Sequence, residues 1–418
     1  MIKIEKPRIE FCATDNQKGA FMRGVRLVSH VVNEVIPLKE DLWFETETEY
    51  GRYFCDEVCD AFVVAMLLPA VQTHQDIECD CISEKLLYNL NHIVTFLLQN
   101  AWKGRRIEIR AKRVVNTGFN GKSVGTGCSL GIDSFAAIFS QTREYCTPSY
   151  CITHLTNFNV GAFGSKDIKL ARESWLHDLE KIKLFVEEYN LPLVTLDSNI
   201  GIINYDTVFD EVFILRNAAA ILSLQKLFGR YFIASGRTVD TIKINKDDIS
   251  YYETLLSPLL STEGCDIIIS EADKTRVEKT KFIADNPLVK KHLYVCWKEI
   301  FKNEWPHYWE DIKDYADKYR NCTRCNKCMR TCLTLELLGC LDDYKDVFDI
   351  PQYYKTRTKY IKRVLTHRNS DSLMKEIYIL MQEKNFPIPL KAKIGAYSIR
   401  LRAVLKGKCK MIMKFFQR

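Results

Sequence analysis

The 418-residue sequence predicts an α/β protein built on a doubly wound parallel sheet, with a cysteine-rich metal subdomain and an extra N-terminal α+β domain. Three observations favour this fold class. Strand and helix patterns alternate after Val124, as in right-handed βαβ units. Four cysteines crowd the segment that follows Arg320, and basic residues are concentrated towards the carboxyl end. We therefore expect an N-terminal domain over 1–120, a central domain over 121–345 and a basic helical tail over 346–418.

The overall composition is that of a folded soluble protein, with 47% hydrophobic and 27% charged residues. The N-terminal segment lacks an apolar run of signal-peptide length, and no uncharged run is long enough to span a bilayer. We therefore expect a cytoplasmic protein. Its 16 cysteines are then expected to stay reduced and, where they cluster, to bind metal.

Residues 1–120 combine strand and helix patterns. Polar and apolar residues alternate in "DLWFETE" and "RIEIRAKRVV", as they do in half-buried strands. Helical spacing appears in "DAFVVAMLLPAV" and "SEKLLYNLNHIVTFLLQNAW". No cluster of reactive side chains stands out, so this part is predicted to be an α+β domain without a chemical site.

The central part alternates between the two kinds of element. The predicted strands are "KSVGTGCSL", "YCITHLTNF", "LPLVTLDSN" and "RYFIASG". Between them lie the predicted helices "DSFAAIFSQ", "ESWLHDLEKIKLFVEEYN" and "DEVFILRNAAAILSLQKLF". Ligands of doubly wound sheets bind beyond the carboxyl ends of the strands, which is where the turn after the first of these strands would lie.

That turn has the composition of a phosphate-binding loop. Small residues let backbone N–H groups approach an oxyanion, and a following helix adds its partial positive charge. The serines can donate hydroxyls to phosphate oxygens, and the aspartate can hold Mg²⁺ or cap the helix. A helix N-cap without a ligand is the alternative. The predicted nucleotide-binding residues are Ser129, Leu130, Gly131, Ile132, Asp133 and Ser134.

The cysteine cluster in "YRNCTRCNKCMRTCLTLELLG" has the spacing C-x2-C-x2-C-x3-C, formed by Cys322, Cys325, Cys328 and Cys332. This spacing lets thiolates converge on one ion. Bacterial ferredoxins share this spacing, but there a proline follows the last cysteine and here a leucine does. Zinc is favoured over an iron–sulfur cluster, because zinc is the commoner structural use of four thiolates. Cys296 in "LYVCWKEI" is a further candidate, so the fourth ligand is open between Cys296 and Cys332.

The loop resembles the S-G-G-x-D-S pyrophosphate loop of the ATP pyrophosphatase (PP-loop) family, with Leu130 in place of the first glycine. The loop, a later "RN" pair and a distant cysteine before C-x2-C-x2-C together are similar to the 7-cyano-7-deazaguanine synthase branch. The resemblance covers about residues 122–340 and implies a PP-loop, HUP-like fold. It also implies a structural zinc ion bound by Cys296, Cys322, Cys325 and Cys328, with Cys332 outside the set.

The resemblance also implies an activity and assigns residues to it. The enzyme would bind Mg-ATP, adenylate a carboxylate or amide oxygen and release pyrophosphate. A nitrogen nucleophile would then displace AMP to give an amide or a nitrile, on a deazapurine-like or other small molecule or conjugate. This is the chemistry of an ATP-dependent carbon–nitrogen ligase or amidotransferase. The implied catalytic residues are Asp133, Ser134 and Arg216, and the further nucleotide contacts are Asn217, Ser235 and Gly236.

Two other functions remain open at this point. The first is a PP-loop sulfur transferase that acts on RNA and holds an iron–sulfur cluster in the cysteine run. The second is a non-catalytic nucleotide-binding scaffold, in which Leu130 prevents turnover.

The tail differs in charge from the rest of the chain. Residues 351–418 contain 17 Lys and Arg against 3 Asp and Glu, whereas the first 350 residues contain 43 against 50. In "KIGAYSIRLRAVLKGKCKMIMKFFQR", apolar residues alternate with basic ones at near-helical spacing. The tail is therefore predicted to contact a membrane surface, an acidic partner or RNA, or to dock on the acidic body of the chain.

Overall fold

A computed structural model describes residues 1–12, 24–33, 40–164, 167–203, 208–316 and 318–402, apart from the side chains of 314–316. These residues form a mixed α/β protein with parallel-rich sheets, as the sequence predicts. The chain divides into two compact units. Unit 1 comprises Met1–Asp273 and Glu299–Pro306, and unit 2 comprises Lys274–Lys298 and the described residues from His307 onward. This division does not follow the boundaries predicted at 120 and 345.

Unit 1 contains two sheets. The larger has eight strands in the order β12-β11-β8-β9-β10-β5-β3-β2, and the smaller has four in the order β4-β1-β6-β7. The strands are β1 Ile2–Ile4, β2 Arg8–Cys12, β3 Gly24–Ser29, β4 Val31–Val32, β5 Leu42–Glu47, β6 Ile77–Ser83, β7 Ile109–Val115, β8 Ser123–Gly127, β9 His154–Asn159, β10 Leu193–Ser198, β11 Phe228–Ala234 and β12 Asp266–Ser270.

The parallel half of the larger sheet contains the switch point of the fold. Strands β12, β11, β8, β9 and β10 are parallel neighbours in that order. The chain therefore moves outward from β8 to β9 and β10, and then returns to the other side of β8 as β11. Ligands of open α/β sheets bind where the strand order reverses in this way. The loops after β8 and β11 flank that point.

The antiparallel half is built by the N-terminal segment. Strand β5 pairs antiparallel with β10, with Phe44 opposite Ser198, and continues into β3 and β2. The strand predicted in "DLWFETE" therefore belongs to the larger sheet rather than to a separate domain. The physical reason is its burial. All residues from Leu42 to Thr46 are buried, including Glu45, so the polar positions that suggested a half-exposed strand lie inside.

The helices surround these sheets in unit 1 and form nearly all of unit 2. They are α1 Thr48–Gly51, α2 Asp60–Thr73, α3 Glu84–Asn89, α4 Thr95–Trp102, α5 Ile132–Ser140, α6 Ile168–Tyr189, α7 Phe213–Ser223, α8 Glu253–Leu259, α9 Arg276–Ile283, α10 Pro287–His292, α11 Lys298–Glu304, α12 Pro306–Ala316, α13 Asn326–Leu338, α14 Ile350–His367, α15 Ser372–Glu383 and α16 over 390–402.

Unit 2 packs around α13, which contacts α9, α14 and α15. The tail predicted to be helical forms α14, α15 and α16 as far as residue 402. Residues 403–418, which complete the predicted amphipathic segment, lie outside the described residues. Among the described helices, none combines the length and the apolar character needed to cross a membrane.

Candidate phosphate loop and cysteine metal site

The loop after β8 makes a sharp turn at a left-handed residue. Strand β8 ends at Gly127, and α5 begins at Ile132 with Gly131 as its N-cap. Between them, Leu130 has φ of 59° and a fully buried side chain. The left-handed conformation costs a residue with a Cβ about 1–2 kcal/mol. The backbone thus has the conformation that a glycine would adopt without strain, and burial of the leucine side chain offsets the cost.

Ser134 closes this loop on itself. Its Oγ donates to the Gly127 carbonyl at 2.7 Å and accepts from the Ser129 N–H at 3.1 Å. Asn157 on the neighbouring strand β9 donates to the Cys128 carbonyl at 2.9 Å. The hydroxyl proton of Ser134 is therefore used inside the loop, which gives this residue a positioning role. Its predicted catalytic role stays a prediction.

The other polar positions of the loop differ in their exposure to solvent. Ser129 is exposed, and both Gly131 and Asp133 are half-buried. Asp133 lies in the first turn of α5, where the helix N-terminus favours a negative charge. The phosphate and cation contacts predicted for Ser129, Gly131 and Asp133 stay a prediction.

Arg216 is a buried cation in α7. Its side chain is 4% exposed, and its Nη1 donates to the Val160 carbonyl at 3.3 Å. No carboxylate of the described residues forms an ion pair with it, and burial lowers its pKa to about 10. A buried charge without a counter-charge is unfavourable. The guanidinium is therefore suited to receive an anionic group.

The turn after β9 is shaped around this guanidinium. A Cβ placed on Gly161 would lie 2.1 Å from Arg216 Nη1 and 3.3 Å from the Cα of Gly201. Gly161 also has φ of 98°, which favours glycine. Arg216 consequently lies against bare backbone at the carboxyl end of β9, next to the loop-bearing strand β8 in the sheet.

Ser235 and Gly236 follow β11, on the other side of β8, and already face an anion of the chain itself. The Glu253 carboxylate accepts from the Gly236 N–H at 2.7 Å, and its Oε1 also lies 3.0 Å from Ser235 Oγ. Asn217 is half-buried, and its Nδ2 donates to the Phe213 carbonyl one turn earlier in α7. The predicted nucleotide contacts of these residues stay a prediction.

The predicted loop, Arg216 and the Ser235–Gly236 turn thus lie at the carboxyl ends of three adjacent strands. Sequence reasoning missed Gly161 and Glu253, which define the surroundings of these groups. Gly161 had a readable signal, because a glycine directly after a predicted strand indicates a close backbone approach. Glu253 had none, since it lies 17 residues from Gly236 in the chain.

The cysteine site assembles four buried thiols. The Sγ atoms of Cys296, Cys322, Cys325 and Cys328 all lie within 4.8 Å of one another. The structure thus brings together the set that the resemblance implied. Cys332 is buried one turn further along α13 and is not part of this group.

Local structure explains how the cysteines converge. Cys325 is the N-cap of α13, so Cys328 falls in the first helical turn. Thr323 has φ of 53°, which reverses the chain between Cys322 and Cys325. Asn321 holds the segment that carries Cys296, because its Oδ1 accepts from the Val295 N–H at 2.8 Å. This bond places the residue before Cys296 beside the residue before Cys322.

Backbone N–H groups point at the sulfurs, as a thiolate site requires. Cys322 N–H donates to Cys296 Sγ at 3.4 Å, Cys325 N–H to Cys322 Sγ at 3.3 Å, and Cys328 N–H to Cys325 Sγ at 3.5 Å. Hydrogen bonds from the neighbouring thiols lower the pKa of Cys325, whereas burial raises the pKa of Cys296 and of Cys328. Four thiolates therefore need a cation between them, and the site can bind a metal ion such as zinc.

A second group of possible ligands lies in unit 1 and was not predicted. His177 Nδ1 lies 2.9 Å from Glu299 Oε1, and Asp178 completes the group. The ammonium of Lys181 donates to Asp178 at 2.6 Å and lies 3.3 Å from His177 Nδ1. A side-chain cation of the protein thus already compensates the acidic charge, so this group carries no metal assignment.

In comparisons with known proteins, no family model, curated protein or solved structure matches this chain. The class of protein is therefore defined by its own residues. It is a mixed α/β protein with parallel-rich sheets and four buried cysteines that can bind a metal ion.

Proposed function

We propose that the protein is an ATP-dependent, adenylating enzyme of the carbon–nitrogen ligase type, with a PP-loop at residues 129–134. The observation that carries this proposal is Arg216, a buried guanidinium that forms no ion pair within the described residues. It lies at the carboxyl end of β9, beside a strand–loop–helix element with phosphate-loop composition. A charge in this position gains most from a ligand that brings negative charge.

In this proposal the loop and Arg216 contact different parts of the nucleotide. The backbone N–H groups of the loop and the N-terminus of α5 hold the pyrophosphate part, and Asp133 holds its Mg²⁺. Arg216 stabilises the charge that develops when an acceptor oxygen attacks the α-phosphorus and the bond to pyrophosphate breaks. A nitrogen nucleophile then attacks the adenylated carbon, and the C–O bond to AMP breaks.

The cysteine site has a structural role in this proposal. Cys296, Cys322, Cys325 and Cys328 hold zinc, which stabilises unit 2 by linking the segment before α11 to the start of α13. Their thiols take no part in the reaction. A set of reduced cysteines also fits a cytoplasmic location, which we include in the proposal.

Product analysis tests the reaction. With the acceptor present, labelled ATP should yield AMP and pyrophosphate, and formation of ADP and phosphate would contradict the PP-loop assignment. Binding can be tested without the acceptor, because Mg-ATP should raise the thermal unfolding temperature of the wild type and not of the Arg216→Met variant. Nucleotide binding without pyrophosphate release, with every small acceptor tried, would favour the scaffold function. Iron with matching acid-labile sulfide would favour the sulfur transferase.

A further inference from the structure

Helix α16 presents a continuous apolar stripe to solvent. Leu390, Ile394, Tyr397 and Leu401 are 70%, 61%, 70% and 47% exposed. Their spacing of four, three and four residues places them on one face of the helix. Single exposed apolar side chains are ordinary, but four in a row along one helix face mark a surface that contacts something else.

The opposite face of α16 is fixed to unit 2. Ala392 and Ala396 are buried, and a Cβ placed on Gly395 would lie 2.6 Å from the Lys362 side chain of α14. Arg400 Nη2 donates to the Leu365 carbonyl at 2.5 Å, near the end of α14. The helix is therefore held by its small residues, with the apolar stripe turned away from unit 2.

Basic residues border the stripe on both sides. By helical spacing, Lys393 lies along one side, and Lys391 and Arg402 lie along the other; all three are exposed. No acidic residue occurs in the sequence after Glu383. The surface that α16 offers is thus apolar in the middle and positive at both margins, which is the arrangement of a helix that lies in the interface of an anionic bilayer.

We propose that α16 docks this protein on anionic lipid membranes. The apolar stripe enters the boundary between headgroups and acyl chains, and the flanking Lys and Arg side chains contact lipid phosphates. RNA fits this surface less well, because contacts to phosphates use positive charge and leave four large apolar side chains without a function. The proposal is independent of the proposed reaction.

Vesicle co-sedimentation of the full chain tests the proposal. The wild type should sediment with vesicles of equal parts phosphatidylcholine and phosphatidylglycerol and remain in solution with phosphatidylcholine alone. L390S/I394S/Y397S should weaken partitioning about tenfold or more, because it removes most of the apolar area. K391Q/K393Q/R402Q should weaken it roughly fivefold for each charge and reduce its sensitivity to salt.

L170S/L184S is the matched control, since Leu170 and Leu184 are exposed leucines of α6 in unit 1. It should partition like the wild type, and circular dichroism should show that all variants are folded. Equal partitioning of the wild type and L390S/I394S/Y397S overturns the proposal. The proposal is also overturned if the wild type does not bind vesicles but binds polyuridylate or polyglutamate. It is likewise overturned if the wild type does not bind vesicles and forms a dimer that L390S/I394S/Y397S converts to a monomer.

Discussion

The cysteine site of unit 2 and the candidate phosphate loop of unit 1 differ in the sign of the charge that they bury. The cysteine site places four potential anions together, so a bound cation completes it. The surroundings of the loop include a buried cation, Arg216, which in the proposed function pairs with an anion of the nucleotide. The cysteine site can be predicted from the identities and the spacing of its residues. The surroundings of the loop depend on backbone conformation and on the burial of Arg216, and both require the three-dimensional structure.

The largest effect is expected at the cysteine site. Cys325→Ser should abolish zinc binding and cause unit 2 to lose its cooperative unfolding, because structural zinc contributes about 10–16 kcal/mol of apparent binding energy. Metal analysis should find about one zinc per wild-type chain and none in the variant. Cys340→Ser, which alters a half-buried cysteine outside the group, should keep its zinc.

The choice of fourth ligand is tested by a pair of variants. Cys296→Ser should lose zinc, and Cys332→Ala should retain it, because only the first residue belongs to the group of converging thiols. If Cys296→Ser kept its zinc and Cys332→Ala lost it, the four ligands would be Cys322, Cys325, Cys328 and Cys332. The resemblance to the deazaguanine branch would then be weaker.

Arg216→Met should lower the turnover of the enzyme while it raises the stability of the ligand-free protein. We expect about 10²–10³-fold lower turnover, as when one preorganised donor to a developing charge is lost. The ligand-free protein should become more stable by about 1–3 kcal/mol, because a buried charge without a counter-charge is removed. Denaturant unfolding measures this change.

Arg172→Met provides the control, because Arg172 is also largely buried but donates to Asp197 at 2.6 Å. Its removal leaves the buried carboxylate without that cation and should destabilise the protein by about 3–5 kcal/mol. If Arg216→Met destabilised the protein by a similar amount, Arg216 would be a structural residue rather than an anion site.

Zinc affinity should increase with pH. Burial raises the pKa of Cys296 and of Cys328, so both thiols are protonated in the metal-free protein and must lose their protons when metal binds. Affinity therefore falls as pH decreases, by about tenfold per pH unit for each proton that leaves. Competition with a chelator at several pH values measures the slope. A slope of zero would show that the ligands do not titrate as thiols.

The smallest expected effect is the difference in stability between two substitutions of Leu130. Both Leu130→Gly and Leu130→Ala lose a buried side chain and should destabilise the protein by about 2–5 kcal/mol. The glycine variant should be the more stable of the two by about 1 kcal/mol, because alanine keeps the left-handed strain and glycine does not. At ordinary backbone positions alanine is the more stable, so the opposite order would contradict the left-handed turn.

The sequence predicted the alternation of strands and helices in the central part because each element has its own hydrophobic period. It did not predict that β5 joins the larger sheet. The polar residues Glu45 and Thr46 are buried there, so alternation in the sequence did not correspond to exposure. The spacing of the cysteines predicted that Cys322, Cys325 and Cys328 come together, and the resemblance implied Cys296 as the fourth member of the group. The hydrogen bond from Val295 to Asn321, which brings Cys296 to the site, has no sequence signature.

The pairing of β5 with β10 also has a consequence for folding during translation, because β5 is synthesised long before its partner strand. About 145 residues separate the end of β5 from the start of β10. At the usual pace of translation, this gap corresponds to roughly 10–30 s. During that time β5 can pair with β3 but has no partner on its other edge. The nascent chain thus carries a strand with apolar side chains and an unpaired backbone edge, and a chaperone that shields strand edges should increase the yield of folded protein.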